Sequence, residues 1–468
     1  MGHGIENSVE VQVQSELEIL GEATGLPFST LLPRTSIQAA LTKCGVAVRK
    51  SPFNSVVTLW AFLGQVLNSD DSCEAAVARV NAQRIKDNLK PCSESTASYC
   101  NARARLPEEV ISSLACEVGY ELHDQAQEEL KWKGHDVVIV DGSTATMADT
   151  QKNQEEYPQS RNQQAGLGFP ILRFVVLISL AVGSVLECAV GRCRGKKTGE
   201  QSLFRQLRDT IKPGTVVLGD RLFDSYHDIA YLSTRGVFVL FGMRQSRKKD
   251  FRKGQRIGHD DHIMTWEKPR FHKDRFDSRE EWATMPDTMN MRELRLILKR
   301  QGFKTRVIIV VTNLLDAEKY PKQDLMQLFS TRWHCELDLR SIKCTLKMGH
   351  LKCKTPSMVR KELWMHLLAY NVIRRKMAEA AKCHHQVPRK LSFASGRRFI
   401  SEIYQMIQQE PQGSKMILRL EEYLFECIAK SKVGDRPGRK EPRAVKKQEL
   451  KFPKLTKPRV EARKGLPA

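Results

Sequence analysis

Asp141, Asp220 and Glu336 are the residues of this chain whose types and settings could do chemistry. Asp141 closes the apolar run of "VVIVDGST" and Asp220 closes that of "TVVLGDRLF", while Glu336 lies in the helical stretch "FSTRWHCELDLRSIKCTLK". A carboxylate at the end of a buried strand is held rigidly while its oxygens face solvent. If the two strands are neighbours and the helix crosses them, three hard oxygen donors meet in one cleft. Such a set suits Mg²⁺ or Mn²⁺. Two such ions, about 4 Å apart, can activate an attacking oxygen and steady a leaving one during phosphoryl transfer. Arg332 lies four residues before Glu336 and Lys343 seven after it, which places all three on one helix face. Alone, an Asp at a strand end is more often a turn former or helix cap. A basic–acidic–basic stripe alone is commonly a solvated face. Together they describe a metal ligand flanked by phosphate clamps.

The elements that must position these residues can be read from hydrophobic patterning. Residues 1–130 are expected to be a helical, DNA-binding N-terminal domain: "SVVTLWAFLGQVL" has helical spacing, and "SDDSCEAAVARVNAQRI" follows with a Ser69/Asp70 start signal. Two more helices are expected around Pro107, and Arg49, Lys50, Arg103 and Arg105 supply basic points. Residues 131–241 are richer in β signals, with strands expected at Asp136–Val140, Leu172–Leu180, Val185–Val190, Thr215–Leu218 and Gly236–Phe241. Helical patterns separate the last three. Three early strands, then strands alternating with helices, predict a mixed α/β sheet flanked by helices. Residues 242–304 break that rhythm and are expected to be a mostly β insertion. The sheet resumes with "TRVIIVVTNL", so 305–385 forms a second part of the core, carrying the Glu336 helix. A C-terminal helical region and basic tail fill 386–468.

Length, 468 residues, allows two to four domains. Net charge is +22, from 76 Lys and Arg against 54 Asp and Glu. Such an excess favours a polyanionic partner, because neutralised phosphates release counterions. The tail from Ser431 carries thirteen Lys and Arg against four Asp and Glu. The first 33 residues hold no Lys or Arg and five Glu, unlike a secretory signal. The most apolar stretch, Phe174–Leu186, is too short for a membrane helix, and Gly183-Ser184 offers a turn between two buried strands. No membrane association is expected. The twelve Cys include no C-x-x-C pair and are expected to be reduced thiols.

"RWHCELDLRSIK" resembles the signature of the insertion sequence 4 family of DDE transposases: Tyr, two residues, Arg, three residues, Glu, six residues, Lys. Arg332, Glu336 and Lys343 match at the correct spacing, and Phe329 stands at the Tyr position without its hydroxyl. "VDGST" and "GDRLFDSY" resemble the regions around the family's two catalytic aspartates, and the similarity runs from about residue 30 to about 380. The resemblance implies an RNase H-like core interrupted by the β insertion, with Asp141, Asp220 and Glu336 as catalytic metal ligands for two ions of Mg²⁺ or Mn²⁺. It implies cleavage at the inverted repeats of an insertion sequence, and joining of the freed 3′-OH to target double-stranded DNA. It implies a homodimer in a synaptic complex and a bacterial cytoplasmic setting, on the nucleoid when bound to DNA. Arg332, Lys343 and Phe329 would contact DNA. Some relatives flip a base onto an insertion-domain Trp, for which Trp266 and Trp282 are the candidates; packing in the core is the competing role for each. Two other functions fit the same residues: a catalytically silent transposase descendant that only binds DNA, and a divalent-metal nuclease. "GHDDHI", Gly258–Ile263 with two Asp and two His, is expected to be a solvated turn rather than a metal site.

Overall fold

The computed structural model describes residues 31–48, 51–247, 249–271, 278–298, 306–407, 409–410, 414–434 and 454–464. The acidic first 30 residues, Arg49 and Lys50, and most of the basic tail lie outside the described residues. Among the described residues, five α-helices precede the first strand: α1 (Arg34–Lys43), α2 (Ser55–Leu67), α3 (Cys73–Lys86), α4 (Ala97–Arg105) and α5 (Glu108–Asp124). Helix α2 is buried from Val56 to Leu67, so it is a core helix rather than an amphipathic surface one. The start of α3 is not capped by Ser69 or Asp70. Ser72 accepts from the Ala75 amide, while Asp70 accepts from the Ser72 amide and shapes the approach.

The strands are β1 (Val137–Met147), β2 (Ile171–Ser179), β3 (Val185–Arg192), β4 (Val216–Gly219), β5 (Phe238–Gly242), β6 (Gln255–Gly258), β7 (Asp261–Glu267), β8 (Thr288–Leu298), β9 (Arg306–Thr312) and β10 (His350–Leu351). The order across the sheet is β3-β2-β1-β4-β5-β9-β8-β7-β6, with β10 paired to β1. Strands β1, β4 and β5 are parallel; β2 runs antiparallel beside β1, and β3 antiparallel beside β2. The expected turn between β2 and β3 is present, with Gly183 at φ +82. The expected insertion supplies β6, β7 and β8. These are not set apart: β9 pairs with both β8 and β5, so all of them extend one sheet.

Alternation along each central strand sorts side chains to two faces. Val137, Ile139, Phe174, Val176, Val216 and Leu218 join a core with α1–α5 and with the C-terminal helices. Val138, Val140, Val175, Leu177, Val217 and Val239 face the opposite way, against α7 (Glu200–Arg205) and α8 (Tyr226–Thr234); α6 (Gln151–Glu156) follows β1. The remaining helices are α9 (Arg279–Thr284), α10 (Lys322–Ser330), α11 (Trp333–Arg340), α12 (Pro356–Cys383), α13 (Phe393–Ile407), α14 (Lys415–Lys430) and α15 (Arg459–Lys464).

The long helix α12 is keyed to α5 and β3 by one buried amide. Asn371 Nδ2 donates to the carbonyls of Ala115 (2.8 Å) and Val185 (2.7 Å), and its Oδ1 accepts from the Val185 amide (2.8 Å). Gly119 makes this approach possible: a Cβ there would lie 2.1 Å from the Val185 carbonyl oxygen and 2.8 Å from Asn371 Nδ2. Backbone cannot yield as a flexible side chain can. Gly119→Ala is therefore expected to destabilise the fold by about 2–3 kcal/mol, read as a lower urea midpoint; an unchanged midpoint would refute the close packing.

His366, on α12, makes the core sensitive to acid. Burial pushes its pKa down from 6.5 to about 4; Asp71 opposes the shift, whereas Arg397 and Lys352 add to it. Between those values the unfolded chain binds a proton that the folded chain excludes. Stability present above about pH 6.5 is thus lost as pH falls towards about 4, at a cost of about 2 kcal/mol between pH 7 and pH 5. Urea midpoints at the two pH values should show this loss in the native chain and a smaller one in His366→Gln.

Candidate active site

Asp220 follows β4 directly, as expected. Asp141 does not end its strand: β1 continues six residues further, to Met147. What ends near Asp141 is the pairing with β4, whose last partners are Ile139 and Leu218. Carrying that register two residues on brings Asp141 alongside Asp220 at the carboxyl end of β4. The second half of β1 is stabilised on its freed edge by β10, which pairs at Thr146 and Met147. Thr146 Oγ1 also donates to the Gly349 carbonyl (3.1 Å). This attachment pins the segment after Glu336 to the strand that carries Asp141.

Parity places Asp141 and Ser143 on the same face as Ile139 and Ala145, which is the face that packs with Cys335 and Leu339 of α11. The Glu336 segment is not one uninterrupted helix. Helix α10 ends at Ser330, Arg332 caps α11, and a π-helical turn spans Ser341–Thr345. Such turns shift the register and recur at functional sites. Lys343 sits in this turn and donates to Ser143 Oγ at 3.1 Å.

Arg332 draws the acids together. Its guanidinium lies 2.9 Å from Glu336 Oε1 and 3.5 Å from Asp141 Oδ2. Burial pushes the Asp141 carboxyl up to about 6; the Gly142 amide, which donates to it at 2.8 Å, and Arg332 oppose this, and Asp220 and Glu200 raise it further. Asp220 and Glu200 thus act on Asp141 as neighbouring negative charges, while the Arg332 guanidinium lies between Asp141 and Glu336. Among the described residues, no group of three or more His, Cys, Asp or Glu is close enough as it stands to hold a metal ion. The donor chemistry nonetheless suits a divalent cation: the oxygens are hard, and a cation would offset both the burial and the neighbouring acids that raise Asp141.

Two groups here were not singled out from sequence. Glu200, at the start of α7, lies against the opposite face of β1: a Cβ on Gly142 would be 2.4 Å from its Cδ. Burial raises its carboxyl too, and Arg173, 3.8 Å away, opposes that. It looks in sequence like any acidic residue in a first helical turn. Asp338, two residues past Glu336, is buried. It accepts from Tyr370 Oη (2.9 Å), Arg374 (2.5 Å) and Arg389 (2.6 Å), and so fixes α11 from behind. Its neighbours come from α12 and beyond, so no local spacing marks it.

The remaining candidates fall elsewhere. Phe329 is buried with Leu325 and Leu328 on α10, and its ring packs into the core. Trp266 is likewise a core residue: its indole donates to Glu293 Oε1 (2.8 Å), and Arg247 covers the ring at 3.7 Å. Trp282 is half-buried, donating to the Pro269 carbonyl (2.9 Å) beneath Lys268. Neither indole meets the acids in the contacts described. In "GHDDHI" only the first half is a turn, with His259 exposed and Asp260 at φ +55. Asp261 is buried in a bidentate pair with Arg292, and His262 is buried beside Glu293 (3.3 Å), because β7 begins there and its side chains enter the core.

The chain is similar to known transposases. Residues 132–372 match the family described as the transposase DDE domain. The chain is 25% identical over 436 residues to transposase InsG for insertion sequence element IS4 of Escherichia coli (strain K12), covering 90% of this chain and 92% of that one. The cryo-EM structure of a piggyBac transposase synaptic complex with hairpin DNA aligns at a TM-score of 0.40 and 9% identity, over 88% of this chain and 83% of that chain. That similarity is too low to assign a shared fold. With more than half its length matched by the family, the chain belongs to the DDE transposases, as a member of the insertion sequence 4 group.

Proposed function

We propose that this transposase cuts double-stranded DNA at the ends of an insertion sequence and joins the freed 3′-OH to target DNA by transesterification. The single observation that carries this is Arg332 bridging Asp141 and Glu336 at the strand end where Asp220 also lies. Asp141, Asp220 and Glu336 would hold one or two Mg²⁺ or Mn²⁺ ions, which when bound supply activation of the attacking oxygen and charge stabilisation of the leaving one. Arg332 and Lys343 carry the positive charge that orients a scissile phosphate. Lys343, held by Ser143, keeps that charge beside β1. The strand order β3-β2-β1-β4-β5, antiparallel then parallel, supports an RNase H-like core. The net charge of +22 supports a DNA partner. Two element ends held together call for two copies of the chain, so a homodimer is the expected form of the DNA complex.

The test is a nicking and binding assay on duplexes carrying the sequences that flank the coding region, with Mg²⁺ or Mn²⁺. The native chain is expected to bind and nick; Asp141→Ala is expected to bind and not nick. Binding by both, with nicking by neither in either ion, would instead identify a transposase descendant that only holds DNA.

A further inference from the structure

Apart from the acids, a cavity of about 580 Å³ lies between the N-terminal helices and the segment that follows α11. Gln65, Cys73, Cys100, Arg103, Cys353 and His366 are among its lining residues. Cys73 Sγ and Cys100 Sγ are 3.8 Å apart, and the Arg103 guanidinium reaches both, at 3.4 Å and 3.9 Å.

Arg103 is an unusual cation. It is 8% exposed, and among the described residues no carboxylate pairs with it. Its other contacts are Gln65 Oε1 (3.1 Å) and the rings of Phe62 and Tyr99. A buried guanidinium without an anion is costly, and a thiolate at Cys73 would supply one. Cys73 is also the first residue of α3, where the helix amides favour negative charge, and Gln65 Nε2 points at its sulfur from 3.7 Å. Burial raises the Cys73 thiol above its ordinary value, Arg103 offsets part of this, and Cys100 adds to it. Its place at the start of α3 and 3.4 Å from Arg103 makes Cys73 the attacking thiol once deprotonated, and Cys100, 3.8 Å away, is placed to resolve it.

We propose that Cys73 and Cys100 form a thiol–disulfide exchange site that takes a small-molecule disulfide and closes to a Cys73–Cys100 bond. The Cys73 thiolate attacks one sulfur of the incoming disulfide. A Cys73–S–S–R bond forms, the R–S–S–R bond breaks, and RS⁻ leaves and takes up a proton. The Cys100 thiolate then attacks Cys73 sulfur and expels the second RS⁻. Two protein thiols are oxidised and one small disulfide is reduced to two thiols. The new bond ties the start of α3 to α4 across a sequence separation of 27 residues.

Oxidised glutathione is the probe. The full-length native chain is incubated with it, alkylated, and mapped by mass spectrometry without reduction. The expected result is a crosslinked peptide pair containing Cys73 and Cys100, with two of the twelve thiols lost to that pair and recovered by dithiothreitol. Cys100→Ser is expected to stop at glutathione on Cys73. Exposed Cys344 reports that the reagent is active. Glutathione on Cys344 with Cys73 and Cys100 both still alkylated would overturn the proposal, as would glutathione remaining on Cys73 in the native chain without closure.

Discussion

Glu336→Gln is expected to lose DNA cutting and joining by at least about 10²–10³-fold while the fold is unchanged. The two effects separate because of where Glu336 sits. Its side chain is 48% exposed, and its described partner is Arg332, one helical turn away. An exposed i,i+4 pair is worth about 0.3–0.5 kcal/mol, so thermal unfolding should barely move. Glutamine keeps the shape and removes the charge, which is what a cation or a developing phosphate charge would sense. DNA binding should persist, because Arg332 and Lys343, the proposed phosphate contacts, are untouched. Equal cutting by native and variant chains would remove Glu336 from the catalytic set.

Asp338→Ala should do the reverse, with its main effect on stability. Asp338 is 1% exposed and holds two buried guanidinium groups, Arg374 and Arg389, together with the Tyr370 hydroxyl. Removing it leaves two cations with no carboxylate in a poorly solvated place. Breaking such a pair from one side costs about 3–5 kcal/mol. Because Asp338 anchors α11, joining activity should fall as well, even at temperatures where the variant is folded. A urea midpoint equal to the native one would show that the network does not hold the helix.

Much of the site was legible in sequence because its parts are local. The β4 strand that ends at Asp220 needs only a short apolar run, and the four-residue spacing of Arg332 and Glu336 survives as a contact of 2.9 Å. Strands β2 to β5 are short apolar runs between turn signals, so they too were placed closely. What escaped is what depends on distant pairing. Asp141 reads as a strand end because polar residues follow it; β1 continues because β2 and, from two hundred residues away, β10 take up its hydrogen bonds. The face shared by Arg332, Glu336 and Lys343 assumed a regular helix, and the π turn at Ser341–Thr345 changes it. Asp261 and His262 look solvated in sequence, since their partners Arg292 and Glu293 arrive from the neighbouring strand β8. The spacing that put Phe329 in a catalytic signature carries no information on burial, and its ring turns into the core.

The most direct test of the assignment of Asp141, Asp220 and Glu336 to cut-and-join chemistry is a strand-transfer assay. Duplexes bearing the flanking element ends are mixed with an unrelated target DNA and Mg²⁺ or Mn²⁺, and the junctions are sequenced. Element 3′ ends covalently joined to target by the native chain, and absent with Glu336→Gln, are the expected result. Cut fragments released without any joined product would contradict it and point to a simple nuclease.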